Sequence, residues 1–210
     1  MTTPKPNEMP IAEFSPGNTP SQNEELRLEA LAEYELLDTT AEEELDELTE
    51  LASQVCGVPI SLISLLSKDR QWFKSKLGLT ISETPRSVSF CHHAIQGNGL
   101  FEVEDATTDH RFKDNALVTG NPNIKFYAGV PLVTPQGHAL GSLCVIDTQP
   151  RILTQEQRLA LEVLARQVML HFELRRIRLE REREKGQLAL VQQQLAQLQK
   201  VMNSQNPPLN

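Results

Sequence analysis

The chain has 210 residues and a formal net charge of −8 at pH 7, with 39% hydrophobic and 23% charged residues. This composition is typical of a globular domain with polar ends, and its acidic balance argues against a nucleic-acid partner. No apolar run approaches the roughly 20 residues that cross a bilayer, and the N-terminus lacks a signal-peptide core. We therefore expect a cytoplasmic protein without a membrane partner.

The N-terminal region predicts a disordered leader followed by two helices. Residues 1–22 contain five of the 13 prolines and few large apolar side chains. Asn23 is a candidate cap for the first helix. Thr40 and Glu43 form a capping box for the second helix, which Gly57 ends.

Short apolar or alternating runs predict strands over residues 58–66, 71–77 and 100–104. In the second run, alternation directs Trp72 and Lys74 to one face and Phe73, Ser75 and Leu77 to the other. Ser87 or Ser89 caps a short helix before the third run. Residues 105–123 predict a long loop with a turn of helix, and loops of this length usually line a site.

Two β-rich runs, residues 124–133 and 138–147, flank a four-residue turn and predict a central antiparallel hairpin. Pro135 presets φ for the turn and Gly137 tolerates a positive φ. Leu140 to Ile146 is nearly all apolar or small, which predicts a strand buried on both faces.

Thr154 and Gln157 form a second capping box and open a long helix that ends near residue 202. Its apolar positions alternate spacings of three and four, which is typical of a coiled coil, with an interruption at Arg181 and Glu184. A helix of roughly 45 residues extends on the order of 65 Å, too far to pack on one small domain. The predicted dimer interface comprises Leu170, Leu174, Ile177, Leu188, Val191, Leu195 and Leu198. The alternative is a single solvated helix.

A second apolar stripe at the start of this helix predicts that it docks onto the globular domain. The stripe comprises Leu161, Leu164, Val168 and Phe172.

An ordered set of separated motifs over residues 24–172 resembles the GAF domain family. The motifs are Arg27-x-x-Ala30-Leu31 with Leu36-Leu37-Asp38-Thr39, Leu51-Ala52 before Pro59-Ile60-Ser61-Leu62-Ile63, Gln71-Trp72-Phe73-Lys74-Ser75 with Gly78-Leu79, Pro85-Arg86 with Ser89-Phe90-Cys91, Val103-x-Asp105-Ala106 with Asp109-x-Arg111-Phe112, and Phe126-Tyr127-Ala128-Gly129-Val130-Pro131-Leu132 with Gly141-Ser142-Leu143-Cys144-Val145-Ile146-Asp147. The subtype resembles sensory GAF modules found ahead of histidine kinases and diguanylate cyclases in two-component and related signalling systems.

The resemblance implies an α+β fold: a GAF domain with a central antiparallel sheet of five to six strands, flanking helices and a ligand-sized cavity. It also implies a C-terminal signalling helix that dimerises, in agreement with the heptad pattern. We expect a leader over residues 1–22, a GAF domain over 23–153, a signalling helix or coiled coil over 154–202, and a disordered tail over 203–210.

The candidate ligand pocket combines aromatic, charged and thiol side chains near the predicted loop and hairpin. It comprises Trp72, Phe90, Cys91, His92, Asp105, Asp109, Arg111, Phe112 and Tyr127. Trp72 serves equally well as core, and the favoured role of Asp105 and Asp109 is to fix the loop by accepting backbone N–H bonds. The face to which Tyr127 points is left open.

Cys91-His92-His93 is the sharpest local feature, because a thiol beside imidazoles at a helix start can be activated. Bilin-binding relatives carry their attachment cysteine between the positions of Asp109 and Lys125, where this chain has none. Adjacent residues on a helix diverge by about 100°, so this triplet alone does not form a metal site. The three cysteines, Cys56, Cys91 and Cys144, are far apart in sequence and predict buried free thiols.

Enzymatic GAF relatives are not matched residue for residue. Free methionine sulfoxide reductases need cysteines grouped around the pocket, one of them beside the first hairpin strand, and residues 124–133 contain none. Residues 111–115 have the residue types of a cyclic-nucleotide site but not its pattern.

We therefore expect a non-catalytic sensory module that binds a small ligand or a partner protein and signals through a dimeric helix. The ligand or cofactor is unknown, and output passes to a partner protein or to a region outside this chain. The alternatives are a Cys91-based redox sensor or reductase and a ligand-free dimerisation scaffold.

Overall fold

A computed structural model describes residues 20–97 and 99–205. The predicted leader over residues 1–19 and the predicted tail over 206–210 lie outside the described residues. The elements in chain order are α1 (Pro20–Glu33), α2 (Glu43–Cys56), β1 (Ile60–Leu66), β2 (Arg70–Leu77), β3 (Glu83–Pro85), a 3-10 turn (Arg86–Val88), α3 (Cys91–Ala94), β4 (Phe101–Val103), α4 (Ala116–Thr119), β5 (Phe126–Val133), β6 (Ala139–Asp147) and α5 (Gln155–Gln205). Across these described stretches, no helix has the length and apolar character of a membrane span.

The strands form one antiparallel sheet in the order β3-β2-β1-β6-β5-β4, which confirms the predicted fold class. The hairpin of β5 and β6 lies inside the sheet, and every residue from Leu140 to Asp147 is buried. The turn between them closes with a hydrogen bond of 2.9 Å from the Gly137 N–H to the Thr134 carbonyl. Gly137 has a φ of 89°, as the turn pattern predicts.

The two faces of the sheet are covered differently. On one face, α2 packs against β1, β2 and β6. On the other, a continuous core joins alternate side chains of β1, β5 and β6 to α3, α4 and the loop that precedes β5. This second face contains the cavity described below.

A bulge in β2 reverses the predicted face of the residues that follow it. Ser64 pairs with Phe73 and Ile63 pairs with Ser75, so Lys74 is the extra residue. The Lys74 ammonium donates to Thr39 Oγ1 and the Thr40 carbonyl at 2.7 Å, and Ser75 Oγ donates to Asp46 Oδ1 of α2 at 2.5 Å. The prediction that Ser75 and Leu77 share a face with Phe73 is therefore wrong, since Ile63 and Ser61, their partners in β1, lie on the face opposite to Ser64.

Two of the predicted helix starts are shifted. Helix α1 begins at Pro20 rather than after Asn23, since proline is favoured at a first helical position where no N–H is needed. Helix α2 begins at Glu43 with Glu42 as its cap residue, so the predicted Thr40 capping box is wrong.

Two other helix signals are confirmed. Gly57 ends α2 in the left-handed region with a φ of 64°. The Thr154–Gln157 box is reciprocal: the Thr154 N–H donates to Gln157 Oε1 at 3.0 Å, and the Gln157 N–H donates to Thr154 Oγ1 at 3.3 Å.

The connector between β6 and α5, residues 148–154, is held by hydrogen bonds along its length. Asp147 Oδ1 accepts the Gln149 N–H at 3.1 Å, and the Arg151 N–H donates to the Glu104 carbonyl at 3.1 Å. Glu102 of β4 accepts the Leu153 N–H at 2.9 Å and pairs with Arg158 of α5 at 2.7 Å.

The described chain divides into two compact units at the boundary between His171 and Phe172. In the first unit, Leu161, Leu164 and Val168 of α5 are buried, as the docking stripe predicts. The second unit consists of the rest of α5, in which the apolar side chains from Leu174 to Leu198 are 44–60% exposed.

Candidate functional site

A small cavity lies between the sheet and the segment that carries α3 and α4. The space open to the centre of a water molecule is about 40 Å³, enough for about three waters because one water needs roughly 10–15 Å³ on this measure. Its walls are mainly aliphatic and aromatic, with Ile81, which is 48% exposed, at the rim. The lining residues are Ile60, Leu62, Gln71, Phe73, Leu79, Ile81, Thr84, Ser89, Phe90, Cys91, Leu117, Pro122, Ile124, Tyr127 and Ile146.

Three buried polar side chains, Gln71, Thr84 and Ser89, contribute to the cavity wall. The Ser89 hydroxyl donates to the Gln71 side-chain carbonyl and accepts the His92 N–H at 3.2 Å, so it satisfies one N–H of the first turn of α3, although the cap residue is Phe90 and not the predicted Ser87 or Ser89. The hydroxyl of Thr84, a residue only 8% exposed, has no hydrogen-bond partner among the residues that the structure describes. A buried hydroxyl without a partner costs about 1–3 kcal/mol, so this atom favours a bound polar group.

A chain of thiols and hydroxyls extends from the cavity wall, where Cys91 and Tyr127 lie, into the buried part of the sheet. Cys91 Sγ is 3.8 Å from Cys144 Sγ, and Tyr127 Oη donates to Cys91 Sγ at 3.3 Å. Tyr127 Oη is 3.4 Å from Ser142 Oγ, which is 3.4 Å from Ser64 Oγ. These side chains are all buried.

Gly129 makes room for the Tyr127 ring. Residues 127 and 129 share a face of β5, and a Cβ at position 129 would lie 2.3 Å from Tyr127 Oη. Tyr127 therefore lies along its own strand on the cavity side, which answers the question that the sequence left open.

The buried thiols have strongly shifted acidities. Burial raises the pKa of Cys91, but hydrogen bonds from Cys144, Ser142, Ser64 and Tyr127 lower it to about 6. The hydrogen bond to Cys91, together with burial, raises the pKa of Cys144. By contrast, burial raises the pKa of Cys56 to about 11.

An aromatic cluster supports the cavity wall from behind. The rings of Phe90 and Phe112 stack with centroids 4.1 Å apart and planes 10° apart, and Phe90 also stacks on Tyr127 at 5.2 Å. The Arg111 guanidinium lies over Phe101 and Phe112, at 4.9 and 5.3 Å from the ring centroids. Phe112 and Arg111 thus position the wall without lining the cavity.

The structure brings only part of the predicted pocket together. Phe90, Cys91 and Tyr127 line the cavity. Trp72 lies on the opposite face of β2, because its neighbours Gln71 and Phe73 face the cavity. Trp72 is buried there, as expected for a core residue.

The polar residues of the predicted pocket have local partners instead. His92 accepts a hydrogen bond from Arg86 at 3.3 Å and contacts Gln96 at 3.1 Å. Asp105 accepts the Thr107 N–H at 2.9 Å, and Asp109 accepts the Arg111 N–H at 2.9 Å. The side-chain hydrogen bond from Arg111 lowers the pKa of Asp109 to about 2. The two carboxylates fix the loop that carries Phe112.

Sequence reasoning missed the polar residues that do reach this region: Gln71, Thr84, Ser89, Ser64, Ser142 and Cys144. Ser64 and Ser142 carry a weak signal, since they are hydroxyl residues in largely apolar strands and are paired across β1 and β6, although Ser61 is a second serine in β1. No sequence pattern indicates the contact between Cys91 and Cys144, which are 53 positions apart.

A six-stranded antiparallel sheet, with a helix on one face and a small cavity on the other, defines a class of cavity-containing α+β domains. The GAF domain family model matches residues 40–172, and this chain belongs to the GAF family. Family membership indicates a sensory or regulatory role.

A curated relative, a cyclic di-GMP phosphodiesterase of Pseudomonas aeruginosa, is 52% identical over 135 residues. The match covers 64% of this chain and 23% of that protein, so the chain spans less than a quarter of the relative's length.

Solved structures share the fold. The GAF domain of an Acinetobacter phosphoenolpyruvate-protein phosphotransferase matches with a TM-score of 0.51 and 19% identity, over 70% of this chain and 93% of that one. A free methionine-R-sulfoxide reductase of Neisseria meningitidis matches with a TM-score of 0.52 and 16% identity, over 74% and 87% of the two chains. At these identities the likeness concerns the fold alone.

Proposed function

We propose that this chain is a regulatory GAF module that binds a small molecule in the cavity. The buried and unpartnered Thr84 hydroxyl is the observation that carries the proposal, because a ligand with a hydrogen-bonding group would satisfy it. The rest of the lining favours an apolar body of a few heavy atoms. A larger ligand enters only if rim residues such as Ile81 move.

Native mass spectrometry of the protein purified from its own host tests for a retained small molecule. We expect a mass adduct that is lost on denaturation, and less of it on Thr84→Val, which keeps the shape and removes the hydroxyl. Thr80→Val is the matched control, because Thr80 is exposed and outside the cavity lining. A wild-type protein without any adduct, or equal retention by both variants, would contradict this site.

We further propose that the module itself does not hydrolyse cyclic di-GMP. The cavity holds about three waters, and its described lining contains no Asp, Glu, His, Lys or Arg to serve as a general acid or base. The matched region of the Pseudomonas relative would then regulate activity that lies in the other parts of that protein. Incubation of the purified chain with cyclic di-GMP should leave the nucleotide intact, and turnover above a heat-denatured control would refute this proposal.

The C-terminal helix suggests how the module signals. The apolar seam of this helix is exposed in the single chain, and its spacing is that of a coiled coil. The seam positions are Leu174, Ile177, Leu188, Val191, Leu195 and Leu198. We propose that two copies pair along this seam, and that ligand binding alters the pairing for a partner protein or a further region to read.

Light scattering tests the pairing. We expect a dimer at micromolar concentration and a monomer after Leu188→Glu with Leu195→Glu, which places charges in the seam. Leu190→Glu is the matched control, since Leu190 is 56% exposed but lies off the seam. A monomeric wild-type chain would overturn the coiled-coil proposal.

A further inference from the structure

The proposed function leaves the contact between Cys91 and Cys144 unused. Their sulfurs are 3.8 Å apart, one on the first residue of α3 and the other in the middle of β6. A disulfide requires an S–S distance of about 2.05 Å, so a movement of roughly 1.8 Å between α3 and β6 would join them. Cys56 is outside this arrangement, because it ends α2 on the opposite face of the sheet.

The cavity gives a small molecule access to only one of the two sulfurs. Cys91 lines the cavity and Cys144 does not. A molecule the size of hydrogen peroxide fits a space that holds about three waters. An oxidant would therefore meet Cys91 first and Cys144 afterwards.

The surroundings of Cys91 favour its thiolate, which is the nucleophilic form of cysteine. Tyr127 Oη donates to the sulfur at 3.3 Å, and Ser142 lies 3.4 Å from the same phenol oxygen. These groups can support negative charge on Cys91 without a neighbouring cation.

We propose that Cys91 and Cys144 form a redox pair that small hydroperoxides oxidise to a disulfide through the cavity. The Cys91 thiolate attacks one peroxide oxygen, the O–O bond breaks, and the departing hydroxide takes up the thiol proton as water. Cys91 is then a sulfenic acid. The Cys144 thiolate attacks the Cys91 sulfur and displaces hydroxide, which leaves as water with the Cys144 proton. In sum, two thiols and one hydrogen peroxide give one disulfide and two waters.

The test treats the reduced 210-residue chain with hydrogen peroxide, then alkylates it under denaturing conditions and maps its peptides by mass spectrometry. We expect a Cys91–Cys144 disulfide peptide that dithiothreitol abolishes, while Cys56 remains alkylated. Cys56→Ser is the matched control and should behave like the wild type. If Cys91 and Cys144 stay as unreactive as Cys56, or if oxidation joins Cys56 instead, the proposal fails.

Two further variants separate the roles of the residues. Cys144→Ser should leave Cys91 as a sulfenic acid that dimedone traps, and absence of trapping in a folded variant would contradict the order of attack.

Tyr127→Phe should slow the oxidation of Cys91 about tenfold, the effect of one hydrogen bond to an ionised group. An unchanged rate would remove Tyr127 from the mechanism. Circular dichroism shows whether each variant is folded. Where a serine variant does not fold, the cysteine is replaced by alanine instead. Retention of a ligand through Thr84 is measured separately, so failure of the redox pair would leave the proposed ligand site untouched.

Discussion

Lys74 and Glu42 form an ion pair in which the lysine side chain is fully buried: Nζ lies 2.7 Å from Oε1, and the exposed fraction of the Lys74 side chain is 0%. The same carboxylate contacts His171 of α5 at 2.9 Å. Glu42 therefore links the bulge of β2 to the start of α2 and to the long helix within the first unit.

Lys74→Met should destabilise the domain by about 2–4 kcal/mol, because it leaves a partly buried carboxylate without its main partner. Urea denaturation at pH 7 measures the loss. Lys76→Met is the matched control: Lys76 lies two residues on, is half-buried, and contacts the Thr80 and Ile81 carbonyls. Its effect should be less than half as large, and equal effects would show that burial of the Lys74 pair has little consequence.

Gly141→Ala should destabilise the domain by about 3 kcal/mol or more. A Cβ at this position would lie 1.8 Å from the Ser64 carbonyl oxygen, a backbone atom that cannot move without disturbing the pairing of β1 and β6. Thermal unfolding followed by near-ultraviolet circular dichroism reports this change.

Gly186→Ala should stabilise the protein, in contrast to Gly141→Ala. Gly186 lies inside α5, and a Cβ there would meet no atom within 4 Å. Alanine should therefore stabilise the helix by about 0.5–1 kcal/mol, seen as increased helicity at 222 nm. A loss of helicity would mean that the glycine is needed for close helix pairing.

The Glu24 cluster should make stability depend on pH in the acid range. Hydrogen bonds from Arg27 and Arg86 lower the pKa of Glu24 from 4.5 to about 2, although burial opposes the shift. Its contribution is therefore fully present above pH 4.5 and is lost as the pH falls toward 2. The difference in unfolding free energy between wild type and Glu24→Gln should shrink over this window.

Glu25→Gln is the control for this titration, since Glu25 is the exposed neighbour on the same helix. A difference between Glu24→Gln and wild type that stays constant from pH 6 to pH 2.5 would contradict the assignment.

Arg181→Leu with Glu184→Leu should raise the melting temperature of a dimeric chain. Both residues are exposed and interrupt the apolar seam, and each leucine buried between helices contributes about 1.5–3 kcal/mol. Glu182→Leu with Lys185→Leu is the off-seam control, because that pair has the same spacing and its ion pair is exposed. Equal melting temperatures for the two double variants would count against the seam.

The central part of the sheet could be predicted because each of its strands has a local sequence pattern. The runs that became β1, β5 and β6 are rich in apolar residues, and Gly78 and Gly137, both at positive φ, mark the end of β2 and the turn between β5 and β6. Strand β3 has only three residues and includes Pro85. It exists because it pairs with β2 at the edge of the sheet, a contact that no local pattern indicates.

The candidate site was less predictable, because it too depends on contacts between residues that are far apart in the sequence. Cys91 and Tyr127 were found because they lie in diagnostic motifs, but their partners Cys144 and Ser142 come from another strand. The polar residues with strong sequence signals, Asp105 and Asp109, satisfy their own loop instead. Charge patterns identify local hydrogen bonds well, whereas a cavity depends on which distant side chains the topology brings together.

The seven-residue connector before α5 has lost most of the torsional freedom that a surface loop of its length would keep. Each ordered residue forgoes about 1–2 kcal/mol of backbone entropy, and here Glu102, Glu104 and Asp147 hold it in place. A tether with free torsions absorbs a displacement of the strand to which it is attached. A connector fixed at both ends transfers that displacement instead, so we expect small movements of β4 or β6 to reach the first turn of α5.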